Sequence, residues 1–161
     1  MANSKTNAMR ILDAKKVHYE MLSYDNKDGK IDGVSTAQKI DRDVHQVFKT
    51  LVTQGSSKEL YVFVIPVEEE LDLKKAAKVA KEKKVDMIAV KDIQKWTGYI
   101  RGGCSPIGMK KTYPIFIEQS AENLETMIFS GGKIGIQIEM KPQDLIEVIN
   151  GEFAPVIKDH E

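Results

Sequence analysis

The sequence is poor in cysteine and shows no overall charge bias, and both shortages narrow its function. A single cysteine, Cys104, in 161 residues excludes an intramolecular disulfide framework. With only three histidines beside it no zinc-ligand spacing can be assembled, so neither a metal nor a cofactor is expected. Long apolar runs are missing, and none approaches the roughly 20 residues of a membrane span. The opening residues, Met1-Ala2-Asn3-Ser4-Lys5, lack the apolar stretch of a secretory signal. The expected address is therefore the cytoplasm, without a membrane partner. Excess charge is absent too: 24 Lys+Arg balance 24 Asp+Glu. Taken as an average, that zero argues against DNA or another polyanion as a partner.

What is present changes that average. Residues 1–70 carry 10 basic and 11 acidic groups, residues 71–111 carry 11 and 4, and residues 112–161 carry 3 and 9, giving −1, +7 and −6. A basic middle third is thus joined to an acidic end. The hydrophobic content of 42% supports a real core, and without repeats or linkers the chain is expected to form one domain over 1–161.

Periodicity sketches the elements. A helix is expected over Asn7–Lys16 with Met9 and Leu12 inward, then extended chain from Val17 to Tyr24 and a polar loop over 25–30. Ser35 with Gln38, and Asp43 with Gln46, read as capping boxes. Phe48–Thr53 and Leu60–Ile65 form a hairpin pattern. Asp72 can cap a helix reaching Lys84, with Leu73, Ala76, Ala77 and Ala80 facing inward. A short strand over Asp86–Val90 and a short helix after Asp92, burying Ile93 and Trp96, follow. Strands are expected at Tyr113–Glu118, at Thr126–Phe129 and, after a Ser130-Gly131-Gly132 turn, at Lys133–Met140. Pro142 starts a last helix that Asn150-Gly151 stops. The fold class is α/β (α+β), with a mostly antiparallel or mixed, barrel-like sheet and interspersed helices.

Four features could carry chemistry. Thr97 to Gly108 holds four glycines and a proline, a backbone shaped either for close approach to a ligand or simply as a surface loop. It is neither a phosphate-binding Walker loop nor a nucleophile elbow. Lys49 sits between Phe48 and Thr50 in an apolar strand, as a solvated lysine or as an anchor for an anionic or amide group. Cys104 is either a small hydrophobe or a nucleophile, and no histidine is near it in sequence, although His18 or His45 could approach in the fold. The lysines after Asp72 (Lys74, Lys75, Lys78) are a solubility face or a phosphate-binding one.

Taken together, Val47-Phe48-Lys49-Thr50-Leu51, Pro66-Val67, Thr97-Gly98-Tyr99, Gly102-Gly103-Cys104-Ser105-Pro106-Ile107-Gly108 and Ser130-Gly131-Gly132-Lys133 resemble the YbaK/EbsC family of aminoacyl-tRNA deacylases. That family is related to the editing domain of prolyl-tRNA synthetase. The resemblance implies a barrel-like sheet wrapped by helices and removal of cysteine wrongly attached to proline-specific tRNA. Such editing is needed because one methylene changes binding by only about 1–3 kcal/mol. It also implies a mechanism without a protein nucleophile, in which the substrate thiol attacks its own ester. By position, Lys49 would anchor the aminoacyl end, and the amides of Gly102 and Gly103 would face the carbonyl oxygen. Tyr24, Thr50, Ser105 and Ser130 would line the pocket. Lys74, Lys75, Lys78, Arg101, Lys110 and Lys111 would meet the acceptor end of aminoacyl-tRNA, with prolyl-tRNA synthetase a candidate partner. Cys104 and Gln137 depart from the family pattern. Two alternatives stay open: an Ala-tRNA(Pro) deacylase using water, and a non-catalytic tRNA- or synthetase-binding module.

Overall fold

A computed structural model describes residues 5–25, 27–30 and 33–159; the Met1–Ser4 stretch considered above lies outside them. Among these described residues, five helices, α1 (Asn7–Ala14), α2 (Gly33–Lys39), α3 (Leu73–Ala80), α4 (Ile93–Thr97) and α5 (Pro142–Ile149), surround eight strands. The strands are β1 (Glu20–Ser23), β2 (Phe48–Gly55), β3 (Leu60–Pro66), β4 (Val85–Met87), β5 (Ile115–Glu118), β6 (Met127–Lys133), β7 (Ile136–Met140) and β8 (Glu152–Ala154). They form a three-stranded sheet ordered β1-β7-β6 and a five-stranded sheet ordered β4-β2-β3-β5-β8. A parallel bridge between Val47 and Ile128 joins the two. The β1–β7, β2–β3, β2–β4 and β6–β7 ladders are antiparallel, and β3–β5 and β5–β8 are parallel. The sheet arrangement is therefore mixed and mostly antiparallel.

Alternation along the strands divides the burial. Phe48, Val52, Val62 and Val64 pack with Met127, Phe129, Ile138 and Met140 in the main core, which Met9 and Leu12 of α1 and Leu145 of α5 close. The Thr6 hydroxyl caps α1 by accepting from the Met9 amide at 3.3 Å. On the reverse side of the five-stranded sheet, Phe63, Ile65 and Phe116 meet Ala76 and Ala77 of α3. The Phe63 and Phe116 rings stack there with centroids 5.4 Å apart. A third, smaller cluster joins Val47, Val67 and Ile128 to Ala37 of α2.

Several boundaries differ from expectation for local reasons. Helix α3 stops at Ala80 rather than Lys84, because Lys81 takes a left-handed φ of 61° and its amide closes the helix on Ala77 and Lys78. Leu73, expected inward, is 39% exposed. Ser130-Gly131-Gly132 is not a turn but part of β6: the register shifts between Ser130 and Lys133, and Gly132 absorbs the bulge at φ 103°. The hairpin instead turns after Lys133, using Gly135 at φ 93°. Ser35 lies inside α2, which begins at Gly33, so it does not cap that helix. Strand β4 begins at Val85 and ends at Met87, and a 3₁₀ turn covers Val90–Asp92. Strand β8, which adds to β5, was not anticipated. No helix among the described residues is long and apolar enough to cross a membrane.

Candidate active site

Strand register brings the candidate residues together. Leu22 pairs with Gln137, and Gln137 pairs with Ser130. The Val47–Ile128 bridge is parallel, so two residues further on each strand Lys49 and Ser130 stand at matching positions. Leu22, Gln137, Ser130 and Lys49 therefore lie in one row on the face opposite the main core, beside the cluster of Val47, Val67 and Ile128. Tyr24, two residues beyond Leu22, extends this row: its amide donates to the Gly135 carbonyl at 3.0 Å. Lys49, Ser130 and Tyr24, far apart in the sequence, thus share a surface that the strand register creates.

Lys49 is half-buried, and desolvation lowers its pKa from the usual lysine value; Glu70 and Glu69 partly oppose that shift. A cation held partly away from water can hold a polar or anionic group, and the carboxylates near it offset part of its charge. Gln137 is 6% exposed and uncharged where an acid was an alternative, so this part of the row adds no negative charge. The Ser130 hydroxyl accepts from the Gly132 amide at 3.2 Å, tying the bulge to the site. The Tyr24 hydroxyl is shielded from solvent and has no hydrogen-bond partner among the described residues. Such groups usually have one, which marks Tyr24 as a group free to meet a ligand.

Lys39 steadies this side. Its ammonium donates to the Asp25 carbonyl at 2.7 Å, to Asp28 Oδ1 at 2.8 Å and to the Lys30 carbonyl at 2.8 Å. It also lies 5.6 Å from the centre of the Tyr24 ring. A lone lysine in a polar stretch gave no signal of this role.

The glycine-rich loop is built around Tyr99. Its hydroxyl donates to the Ile107 carbonyl, and its amide donates to Thr97 Oγ1 at 3.0 Å. A Cβ on Gly132 would meet Tyr99 Cε1 at 3.0 Å, and one on Gly108 would meet the Tyr99 hydroxyl at 3.0 Å. A Cβ on Gly103 would meet Lys133 Cα and carbonyl carbon at 3.2 Å and the Ile134 amide nitrogen at 3.1 Å. The loop thus docks on the β6–β7 turn, next to Gly135 and hence Tyr24. Gly102 is exposed at φ 86°, and its amide has no hydrogen bond among the described residues.

Three expectations need correction. The Gly103 amide is not free for an oxyanion, because it donates to the Ile100 carbonyl at 3.0 Å. Thr50 alternates with Lys49 and points with Phe48 and Val52 toward the main core, where its buried Oγ1 has no partner among the described residues. Ser105 is wholly buried, and its hydroxyl accepts from the Ile107 amide at 3.2 Å, so it shapes the loop from within.

Nucleophiles are scarce. Burial pushes the Cys104 thiol up to about 11, a shift that a hydrogen bond with Thr97 only partly offsets. His45 pairs with Glu68 and His18 with Glu20, both on the exposed surface. Among the basic candidates, Lys75 donates to the Ile157 carbonyl and Asp159, both at 2.8 Å, whereas Lys74 and Lys78 are exposed on α3. Arg101, Lys110 and Lys111 are exposed around the loop and have no ion pair among the described residues. A separate cavity of about 190 Å³, lined by Ile11, Ile107, Met109, Tyr113, Val148 and others, contains none of the Lys49 row.

The chain as a whole is similar to known proteins. The Cys-tRNA(Pro)/Cys-tRNA(Cys) deacylase assigned as EbsC of Enterococcus faecalis is 43% identical over 152 residues, covering 94% of this chain and 93% of that protein. A solved structure assigned as a trans-editing enzyme for prolyl-tRNA synthetase superposes with a TM-score of 0.83 at 19% identity, over 97% of this chain and 100% of the other. The hypothetical protein APE2540 gives a TM-score of 0.85 at 18% identity, over 93% and 98%. At those identities the two structures establish the fold alone. The profile of the aminoacyl-tRNA editing domain matches residues 32–148, which include Lys49, the glycine-rich loop and Ser130. With both that profile and a relative alike over nearly its whole length, the chain belongs to the aminoacyl-tRNA editing domain family.

Proposed function

We propose that this protein cleaves the aminoacyl ester of Cys-tRNA(Pro), releasing cysteine that was attached to the wrong tRNA, with Cys-tRNA(Cys) a second substrate. The 43% identical relative carries an assignment of this kind. The observation that carries the mechanism is that, among the described residues, no activated nucleophile stands beside Lys49: the Ser130 hydroxyl in the same row has no histidine partner, and the only thiol is half-buried, with its pKa pushed up to about 11. The substrate supplies its own. Its sulfur, as thiolate, attacks the ester carbonyl carbon, forming a carbon–sulfur bond and a tetrahedral oxyanion. The oxyanion collapses, breaking the bond to the ribose oxygen of the tRNA, and that oxygen takes a proton. Free tRNA leaves with a cyclic thiolactone, which water then opens to cysteine.

The protein need only hold that geometry and stabilise the developing charge. Lys49 anchors the aminoacyl end, the Gly102 amide donates to the oxyanion, and Tyr24, Ser130 and Gln137 bound the site. Prolyl-tRNA synthetase as a partner would supply recognition of tRNA identity that a chain of this size does not need to carry.

Deacylation of Cys-tRNA(Pro), Ala-tRNA(Pro), Ser-tRNA(Pro) and Cys-tRNA(Cys) tests the reading. Cysteine esters should be cleaved, whereas the serine ester, with oxygen in place of sulfur, should survive. Equal cleavage of Ala-tRNA(Pro) would sink the substrate-assisted route and favour water.

A further inference from the structure

We propose that Trp96, with the lysines gathered over its ring, is a stacking platform for an unpaired nucleotide at the acceptor end of the substrate tRNA. The inference rests on the deacylase reading and extends it to how the RNA is held. Trp96 is half-buried on α4, with its indole packed at the margin of the main core. The Lys95 and Lys111 ammonium groups lie 4.9 and 5.8 Å from the ring centre. Ammonium groups placed there show that the indole presents a face to ions and water instead of burying it all against apolar neighbours. Neither lysine forms an ion pair among the described residues. From Ile93 to Ile117 the chain has no carboxylate, while Lys95, Arg101, Lys110 and Lys111 all fall within it.

The platform is tied to the glycine-rich loop and the segment that follows it. Tyr113 donates its hydroxyl to the Trp96 carbonyl at 2.7 Å, and the Lys110 amide donates to the Thr97 carbonyl at 2.9 Å, joining both basic segments. Helix α4 then runs directly into the glycine-rich loop, where Ile100 is 49% exposed beside Arg101 and Gly102. Arriving phosphates draw the two ammonium groups off the ring by counterion exchange, and the bared indole face accepts a base. An aromatic face among unpaired cations fits single-stranded nucleic acid better than an acidic protein, which needs only the charge. On α3, by contrast, Lys75 is already engaged by Asp159.

Trp96 is the only tryptophan, so its emission reports on this site directly. The full chain is titrated with an RNA minihelix bearing four unpaired 3′ nucleotides and with the same duplex made blunt, and binding is followed independently by anisotropy of labelled RNA. The tailed RNA should quench the tryptophan strongly, and the blunt duplex weakly. Trp96→Ala should weaken binding of the tailed RNA about tenfold, and Trp96→Phe should recover most of that loss. Lys111→Ala should lower the slope of log affinity against log salt by roughly 0.7–0.9. Tailed RNA that binds without changing the emission would overturn the platform, as would equal quenching by the blunt duplex or binding of neither RNA. Cleavage of Cys-tRNA(Pro) by the unaltered chain, measured in parallel, shows whether the deacylase reading survives such a result.

Discussion

The Gly103 amide bonds to the Ile100 carbonyl at 3.0 Å, closing a tight turn whose far side rests on the backbone of Lys133 and Ile134. That contact sets the distance between the glycine-rich loop and the β6–β7 turn, and through Gly135 it reaches Tyr24. Gly103 is thus a spacer, and of the two glycine amides only that of Gly102 is unbonded among the described residues.

Adding one methyl group at Gly103 therefore separates two parts of the site. The clash is with backbone atoms, which cannot swing away as a side chain would. Gly103→Ala should lower kcat/KM for Cys-tRNA(Pro) at least tenfold, with a stability loss of about 1–3 kcal/mol. Steady-state kinetics beside thermal unfolding would check this. Full activity would show that the loop does not need its contact with Lys133 and Ile134.

Burial pushes the Cys104 thiol up to about 11, so at neutral pH it is a poor source of thiolate. Cys104→Ser should keep kcat/KM within about threefold and cost about 1–2 kcal/mol of stability for the buried hydroxyl. Alkylating reagents should react slowly with the folded chain. A folded serine variant without activity would return Cys104 to the role of nucleophile.

Glu82 predicts the acid limb of stability. Its carboxylate accepts from the Ser57 hydroxyl, from the Tyr61 hydroxyl at 2.6 Å and from the Ser57 amide at 3.1 Å, holding the β2–β3 hairpin to the chain after α3. Those bonds, Ser57's first, lower its pKa from 4.5 to about 2. The folded value lies below the unfolded one, so the contribution is complete above about pH 4.5 and is lost as pH falls toward 2. Unfolding midpoints in denaturant across that window should fall less steeply in Glu82→Gln than in the parent. Parallel curves would remove Glu82 from the acid response.

Local pattern carried most of the elements. Phe48 to Thr53 and Leu60 to Ile65 are apolar stretches with a polar turn between, and β2 and β3 occupy them with little adjustment. What could not be read were long-range registers and backbone signs. Nothing local in Ser130-Gly131-Gly132 distinguishes a turn from a bulge, because glycine permits both and the choice depends on where β7 pairs. The two faces of β2 were equally hidden. Lys49 and Thr50 are neighbours in sequence, yet alternation sends one to the site face and the other toward the main core. Lys39 is the clearest omission, since its three oxygen partners come from a loop nine to fourteen residues away.

Lys49 should set the alkaline limit of catalysis. Desolvation lowers its pKa, the opposing effects of Glu70 and Glu69 do not reverse the shift, and the group is charged only below its folded value. If the cation anchors the aminoacyl end, enzymatic cleavage corrected for spontaneous ester hydrolysis falls as pH rises, and the fall begins below 10.5. Ionisation of the substrate thiol acts in the opposite sense, so kcat/KM follows a bell in pH. Lys49→Ala should lose about 10- to 150-fold in kcat/KM, equivalent to about 1.5–3 kcal/mol for one charged hydrogen bond. Lys49→Arg keeps a charge throughout this range, so whatever activity it retains should show the ascending limb without the descending one. A descending limb unchanged in Lys49→Arg would assign that ionisation to another group and leave Lys49 as an anchor whose charge is not titrated.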